Sequence, residues 1–228
     1  MQLLQHSFCP HSRFIRLVLG EYGIAVDLTE ERVWVRRPEF LALNPAGTTP
    51  VLIEDDLVVP GAAVIAEYLD ERFGAGHADR RLLPPDPGER VEVRRLTGWF
   101  NDKFFAEVTE YLVQEKILKR HMLESEGGGP PNSAAIRAAR TNIRYHLRYI
   151  GWLLNARNWL AGDRLTYADL AAAAHLSVAD YLGDVPWDEN ESAKNWYARV
   201  KSRPAFRPLL AESLPGIDPA ATYANLDF

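Results

Sequence analysis

Residues 44–54 read NPAGTTPVLIE, and residues 57–74 read LVVPGAAVIAEYLDERFG. The first stretch is a turn rich in Pro and Gly that leads, through Thr49-Pro50, into a short apolar strand. The second stretch begins with another short apolar run and continues into a helical pattern that ends at Gly74. Two acids separate the stretches, so we predict a β-hairpin of Val51–Glu54 with Leu57–Val59, followed by a helix over Ala62–Phe73.

The residues before this stretch predict two more strands and two more helices. Their apolar residues recur at helical spacing in one segment and form short runs in the others. The predicted elements are a strand over Met1–Gln5, a helix over Ser12–Tyr22, a strand over Ala25–Glu31 and a short helix over Pro38–Leu43. Residues 1–76 therefore have the order β-α-β-α-β-β-α, which implies a mixed sheet with helices on both faces.

The rest of the chain predicts an all-helical domain. Residues 77–88 contain three prolines and indicate an interdomain linker, residues 89–212 have helical periodicity, and residues 213–228 indicate an extended tail. The predicted helices cover Glu89–Met122, a segment capped by Ser133, Leu170–Leu182, Asn190–Ser202 and a short turn from Pro204. Thr166 and Asp169 have the spacing of a capping box at the start of the third of these helices.

Composition excludes several classes of function. The 228 residues carry a net charge of −5, which argues against a generic nucleic-acid binder. The chain has one cysteine, so it forms no internal disulfide. No apolar run approaches the roughly 20 residues that span a bilayer. We expect a cytoplasmic protein with no membrane insertion.

Four motifs, in this order and at these distances, give the chain a resemblance to a known family. They are Cys9-Pro10-His11-Ser12 at a helix start, Asn44-Pro45-Ala46-Gly47, Thr49-Pro50-Val51-Leu52, and the capping box with its preceding Gly162. The chain resembles the glutathione transferases from end to end. The resemblance implies a thioredoxin-like N-terminal domain followed by the helical domain of that family, with a cis bond between Thr49 and Pro50 that leaves the Thr49 backbone free to pair with glutathione.

Cys9 lies where thiol-dependent members of the family keep their cysteine. A thiol at a helix N-terminus can have a lowered pKa and ionise near neutral pH. The alternative is a small, partly buried apolar residue, because the adjacent His11 and Ser12 supply no fixed positive charge. By this resemblance the glutathione-site positions are Cys9, Ser12, Thr49, Pro50, Gly61 and Ala62.

Two of those positions lack the side chains that bind glutathione. The family holds the γ-glutamyl group with an acid and a hydroxyl at the start of the helix that ends in Tyr68-Leu69. Counting back from that pair places Gly61 and Ala62 there. Neither residue can form a charge-assisted hydrogen bond, so we expect a degenerate site, no cofactor and no metal.

Three segments have the composition of interaction surfaces. Trp34 and Arg36 lie among arginines in residues 31–37, either as a hot spot or with Trp34 folded onto the interdomain seam. A stripe of Arg137, Arg140, Arg144 and Arg148 either docks an acidic partner or is a solvated face with ion pairs to the long helix. In the tail we expect Tyr223 to pack on the body and Asp227 and Phe228 to contact a partner.

The chain also resembles a narrower group, the glutathione-transferase-like division proteins that bind the tubulin-like GTPase FtsZ. The likeness runs through RVWVRRPEF (32–40), QEKILKR (114–120), NIRYHLRYIGWL (142–153), DYLGDVPWD (180–188) and YANLDF (223–228). It implies a non-catalytic homodimer at the division site that binds and shapes FtsZ filaments. Trp34, Glu115, Arg140 and Asp227 are contact residues by this likeness.

Two enzymatic alternatives remain open at this point. One is an omega-like thiol transferase or reductase that uses Cys9 as its nucleophile and glutathione as cosubstrate. The other is a transferase for an unusual thiol whose ammonium group is bound by other side chains.

Overall fold

The N-terminal part of the chain folds into a four-stranded mixed sheet flanked by helices. The computed structural model describes residues 1–226, and of Ala78 and Asp79 it describes the backbone alone. The elements are β1 (Gln2–Gln5), α1 (Pro10–Tyr22), β2 (Asp27–Glu30), α2 (Pro38–Leu43), β3 (Val51–Glu54), β4 (Leu57–Pro60) and α3 (Ala62–Phe73). The strand order is β2-β1-β3-β4, with β1 and β2 parallel and the other two pairs antiparallel. The predicted thioredoxin-like arrangement is confirmed.

Apolar residues of the strands and of α1 form the core of this domain. Leu3 of β1 pairs with Leu28 on one side and with Leu52 on the other, and both Leu3 and Leu52 are fully buried. On α1, Phe14 and Val18 are also fully buried, as their spacing predicts. The sheet and α1 thus share one core, which fixes the start of α1 relative to the turn before β3.

The C-terminal part of the chain is helical. Its longest helix, α4, runs over residues 87–121 and alternates α-helical turns with two π-helical stretches, Trp99–Thr109 and Val113–Leu118. The helices that follow are α5 (Ser133–Leu154), α6 (Tyr167–Tyr181), α7 (Glu191–Lys201) and α8 (Arg207–Leu210). Residues 77–88, expected to link the domains, contain the end of a 3₁₀ segment (Gly74–Arg80) and the first two residues of α4. Within residues 1–226, none of the helices is both long and apolar enough to cross a membrane.

Two predicted helix caps have different outcomes. At the start of α6, the Thr166 backbone N–H donates to Asp169 Oδ2 over 2.9 Å, which confirms the capping box. The predicted cap at Ser133 is wrong, because Ser133 is already the first helical residue. The cap is Asn132, whose Oδ1 accepts from the backbone N–H of Ala134 over 2.9 Å. Asn132 has the extended backbone that an N-cap requires.

The two domains share one apolar core. Helix α1 packs on α6, and the Tyr167 hydroxyl of α6 donates to the Ala66 carbonyl of α3 over 3.0 Å. Gly20 lies against Ala205, so close that an added Cβ would sit 2.9 Å from the alanine side chain. This continuous packing holds the facing walls of the two domains at a fixed separation.

The tail folds back onto the helical domain. Tyr223 is fully buried, and its hydroxyl donates to the Leu209 carbonyl over 2.7 Å. The Ala220 backbone N–H donates to the Tyr181 carbonyl over 2.9 Å. The prediction that Tyr223 packs on the body is confirmed. The two predicted partner contacts at Asp227 and Phe228 lie outside the described residues.

Candidate functional site

A cleft of about 440 Å³ opens between the two domains. Four of the six expected glutathione-site residues line it, namely Cys9, Thr49, Gly61 and Ala62. Ser12 is fully buried behind Cys9, and Pro50 is buried beyond Thr49. The opposite wall comes from α4 and includes Asn101, Asp102 and Phe105. The sequence motifs therefore locate the cleft on the N-terminal domain, and α4 completes it.

Cys9 is the N-cap of α1, where its backbone is extended. The Sγ–H can donate to the Thr49 carbonyl, 3.6 Å away. The Thr49–Pro50 bond is cis, as expected. This arrangement places the thiol at the positive end of the α1 dipole and beside the turn before β3.

His11 is held in this cleft by contacts with the helical domain that the sequence motif does not indicate. Its Nε2–H donates to the Asn101 carbonyl over 2.8 Å, and its ring packs edge-on against Phe105 and His175. Burial works against the imidazolium, but hydrogen bonding and charge from Cys9, together with the Asn101 carbonyl, raise the pKa of His11. The Asn101 carbonyl lies 90 residues from His11 in sequence, so no local pattern indicates this hydrogen bond.

This histidine changes the ionisation of the thiol. Burial opposes ionisation of Cys9, but the hydrogen bond and charge of His11, with help from Ser12 and Thr49, lower its pKa to about 7. His11 supplies no fixed positive charge, but its raised pKa makes it a titratable cation beside the thiol. A thiol with a pKa of about 7 can ionise near neutral pH.

Gly61 and Ala62 occupy the predicted places at the start of α3. Gly61 is the N-cap, with φ of +88°, and Ala62 is the first helical residue. A Cβ added to Gly61 would meet no atom within 4 Å, so no other side chain fills the place where the family has an acid. Among the described lining residues there is no Lys or Arg, and Asp102 is the acid on the facing wall. Glutathione carries two carboxylates, for which the described walls offer histidines and neutral donors such as the Thr48 and Thr49 hydroxyls.

Trp34 and Arg36 belong to a segment beside this cleft and are not among its lining residues. Trp34 lies in the 3₁₀ turn Val33–Val35, and Val33 lines the cleft. The Trp34 ring is half-buried and contacts His6 edge-on, with 5.7 Å between ring centroids. Arg36 is exposed, with a left-handed backbone at φ of +52°. Trp34 thus rests on its own domain and presents part of its ring outward.

Arg140 belongs to a charge cluster centred on Asp184. The Asp184 carboxylate is wholly buried and accepts from Arg140 at Oδ1 and from Lys116 Nζ at Oδ2, each over 2.7 Å. Arg144 of the same stripe pairs with Glu189, also at 2.7 Å. The ion pairs of the stripe are therefore made with the segment after α6, and the expectation that they would reach the long helix is wrong for both arginines.

Glu115 lies next to Lys116 on α4 and bonds to a different set of groups. Its carboxylate is mostly buried, and Oε2 accepts from Lys119 Nζ and from the Asn132 backbone N–H, each over 2.6 Å. Burial opposes ionisation, yet these two donors lower the pKa of Glu115. Glu115 therefore fixes the start of α5 next to α4, and its neighbour Lys116 connects it to the Asp184 cluster.

No metal site accompanies these features in the described part of the chain. Residues 1–226 bring together no group of three or more His, Cys, Asp or Glu side chains that could hold a metal ion.

Family models match both domains. Residues 8–72 match the N-terminal domain of glutathione S-transferase, and residues 119–204 match its C-terminal domain. Among curated proteins, "FtsZ-localized protein A" of Caulobacter vibrioides is 47% identical over 96% of this chain and 94% of its own length.

Solved structures agree with these matches. A glutathione S-transferase from Sinorhizobium meliloti has a TM-score of 0.98 and 53% identity, covering 100% of this chain and 99% of that one. The structure titled "FzlA from C. crescentus" has a TM-score of 0.91 and 46% identity, with the same coverage of both chains. The chain therefore belongs to the glutathione S-transferase family, as a relative of FtsZ-localized protein A.

Proposed function

We propose that this protein is a non-catalytic member of the family that binds and shapes FtsZ filaments at the division site and so promotes bacterial cell division. The observation that carries the proposal is the 47% identity, over nearly the whole chain, to a protein named for its localisation with FtsZ.

The cleft supports the non-catalytic part of the proposal. A charge-assisted hydrogen bond contributes roughly 1.5–3 kcal/mol, and the positions of Gly61 and Ala62 lack the two side chains that would form them. The combined loss corresponds to a factor of about a hundred or more in affinity for glutathione. The N–H groups at the start of α3 remain, but they do not replace the two missing side chains.

The Arg140 cluster supports the partner-binding part. Arg140 is held at its Nε by a buried carboxylate, while about half of its side chain is exposed. A cation that is already ordered loses little conformational entropy when a partner docks. Together with the exposed Arg137 and Arg148 on α5, it suits an acidic protein surface.

The dimeric state is part of the proposal and rests on an aromatic face of α5. Tyr145 and Trp152 are 67% and 64% exposed, and Tyr149 stacks on Trp152 with 6.0 Å between centroids. A groove between α4 and α5, lined by Trp99 and Tyr149, continues this face. Exposed aromatic patches of this kind mark protein interfaces. A two-fold dimer would present each contact surface twice along a filament and so add avidity.

Cosedimentation with assembled FtsZ filaments tests the function. We expect the protein to pellet with polymer and to remain in the supernatant without it. Failure of the full-length chain to pellet at any filament concentration would contradict the proposal. A variant that ends at Tyr223 keeps the buried anchor of the tail and separates the contribution of residues 224–228 from that of the body.

A thiol transferase is the second candidate, because the pKa of Cys9 is lowered to about 7. This alternative predicts retention on glutathione resin and a thiol-exchange rate that Cys9→Ala abolishes. Passage through the resin without retention would remove it.

A further inference from the structure

Cys9 and His11 line the same cleft at the start of α1, where a thiol and an imidazole can act as a nucleophile and its proton partner. His11 uses Nε2–H on the Asn101 carbonyl, which leaves Nδ1 as the ring nitrogen available to Cys9. The ring cannot turn away freely, because Phe105 and His175 pack against it at centroid distances of 4.6 and 5.2 Å. A nucleophile, a partner base and a third group that orients the base are the signature of covalent chemistry.

A second observation points to a negatively charged sulfur. Ser12 is fully buried, and its Oγ forms no hydrogen bond of regular geometry with the described protein atoms. This hydroxyl lies next to the thiol and helps to lower the pKa of Cys9. A buried donor left unused is costly, and a thiolate or a bound oxygen atom beside it would satisfy it.

The walls of the cleft select the kind of reactant. The charged and titratable groups around the pair are Asp102 from α4, His175 from α6 and His6, which follows β1. Thr49 contributes its carbonyl. No Lys or Arg occurs among the described lining residues, so a disulfide that carries carboxylates finds no anchor here. A small neutral oxidant needs none, and it fits a cleft of about 440 Å³.

We propose that Cys9 is a site of reversible oxidation by hydrogen peroxide and small hydroperoxides, with His11 as the proton donor. The thiolate sulfur attacks one peroxide oxygen, an S–O bond forms and the O–O bond breaks. The leaving hydroxide takes the proton from His11 Nδ1 and departs as water. Sulfur is oxidised to sulfenic acid, and the peroxide is reduced.

The fate of the product follows from the composition. Cys9 is the only cysteine of the chain, so the sulfenic acid cannot form an internal disulfide. One external thiol condenses with it, which releases water and forms a mixed disulfide, and a second external thiol attacks that disulfide and releases the reduced Cys9. The cycle therefore needs one peroxide and two thiols, and it needs no glutathione anchor.

Mass spectrometry of the full-length protein tests this chemistry. Purified protein is treated with hydrogen peroxide at pH 7 in the presence of dimedone, and the adduct on the Cys9 peptide is followed over time. His11→Phe keeps the aromatic packing and removes the proton donor. At pH 7 the thiolate would become ~50-fold scarcer if the pKa returned to 9.0. Since a thiolate of higher pKa is ~8-fold more nucleophilic, we expect a net loss of at least ~5-fold in the variant.

Wild-type protein provides a second measurement that does not depend on the folding of a variant. The rate of Cys9 alkylation by iodoacetamide, measured against pH, should have a midpoint about two pH units lower in native protein than in urea. Equal midpoints, or the absence of a dimedone adduct under conditions that label urea-unfolded protein, would overturn the proposal. Neither readout involves FtsZ, so the outcome is independent of the filament-binding proposal.

Discussion

Arg140 on α5 donates from Nε to Oδ1 of Asp184 over 2.7 Å, although 44 residues separate them in sequence. The Asp184 side chain is wholly buried, whereas 51% of the Arg140 side chain is exposed. Lys116 occupies the other carboxylate oxygen. The buried Asp184 carboxylate thus holds Arg140 at its Nε, and the exposed half of the Arg140 side chain remains open to solvent.

This relationship predicts that removal of Asp184 weakens filament binding as removal of Arg140 does. We expect Arg140→Ala and Asp184→Asn each to lower apparent affinity in cosedimentation by about 10-fold, since a central interface arginine contributes on the order of 1–2 kcal/mol. Arg199→Ala, on the exposed side of α7, is the control. Undiminished pelleting of Arg140→Ala would exclude this surface from the interface.

The aromatic face of α5 predicts the oligomeric state. We expect wild-type protein to sediment as a dimer of the 25.7 kDa chain and Trp152→Glu to sediment as a monomer, because a buried carboxylate without a partner opposes association. Leu123 is equally exposed, at 67%, and lies outside this face, so Leu123→Glu should stay dimeric. Analytical ultracentrifugation distinguishes these outcomes, and a dimeric Trp152→Glu protein would place the interface elsewhere.

The sequence predicts most of the architecture because the decisive signals are local. The span of α3 agrees with its periodicity, and the cis bond at Thr49–Pro50 lies where the motif indicates. The sequence predicts the N-cap of α5 one residue too late, at Ser133 and not at Asn132. Both residue types are good caps, and only backbone geometry distinguishes them.

The functional contacts were harder to predict because they join distant segments. The Asn101 carbonyl that orients His11 belongs to a helix in the other domain, and a backbone carbonyl leaves no trace in a sequence motif. Asp184 follows α6, in a segment without helical pattern, so its pairing with Arg140 has no spacing rule. Such contacts depend on how the domains pack and therefore require coordinates.

Arg13 predicts a large effect on stability. It is fully buried, donates to Ser177 Oγ over 2.8 Å and to Tyr223 Oη over 3.3 Å, and pairs with Glu212. Arg13→Met would remove the donor from the buried Ser177 and Tyr223 hydroxyls, while Glu212 keeps its ion pair with Arg16. We therefore expect a loss of about 3–5 kcal/mol in the free energy of unfolding.

Arg94→Met is the matched control for this experiment. Arg94 pairs with Glu67 at 2.9 Å, but its side chain is 51% exposed, so its loss should cost less than about 1 kcal/mol. Urea denaturation measures both variants. Similar costs for the two would show that the buried network around Tyr223 contributes nothing beyond a surface pair.

His175 predicts how stability depends on pH. Burial, reinforced by the charges of His11 and His146, keeps the pKa of His175 well below 6.5. The unfolded chain therefore binds a proton below pH 6.5 that the native state does not, and stability falls as the pH falls through that value. The contribution of one such group is at most about 1.4 kcal/mol per pH unit.

His175→Gln should remove that contribution from the slope of unfolding free energy against pH between about 6.5 and 5. His6 and His146, whose pKa values are also lowered mainly by burial, should leave a residual slope. An unchanged slope in His175→Gln would mean that His175 is protonated in the native state.

Calorimetric titration of the wild-type protein with glutathione tests most directly whether the cleft still binds glutathione. With Gly61 and Ala62 at the start of α3, we expect no saturable heat up to roughly millimolar ligand, about a hundredfold weaker than an anchored site would give. Saturable binding at micromolar concentration, lost in Cys9→Ala, would contradict the non-catalytic assignment and restore the thiol transferase as the function of this fold.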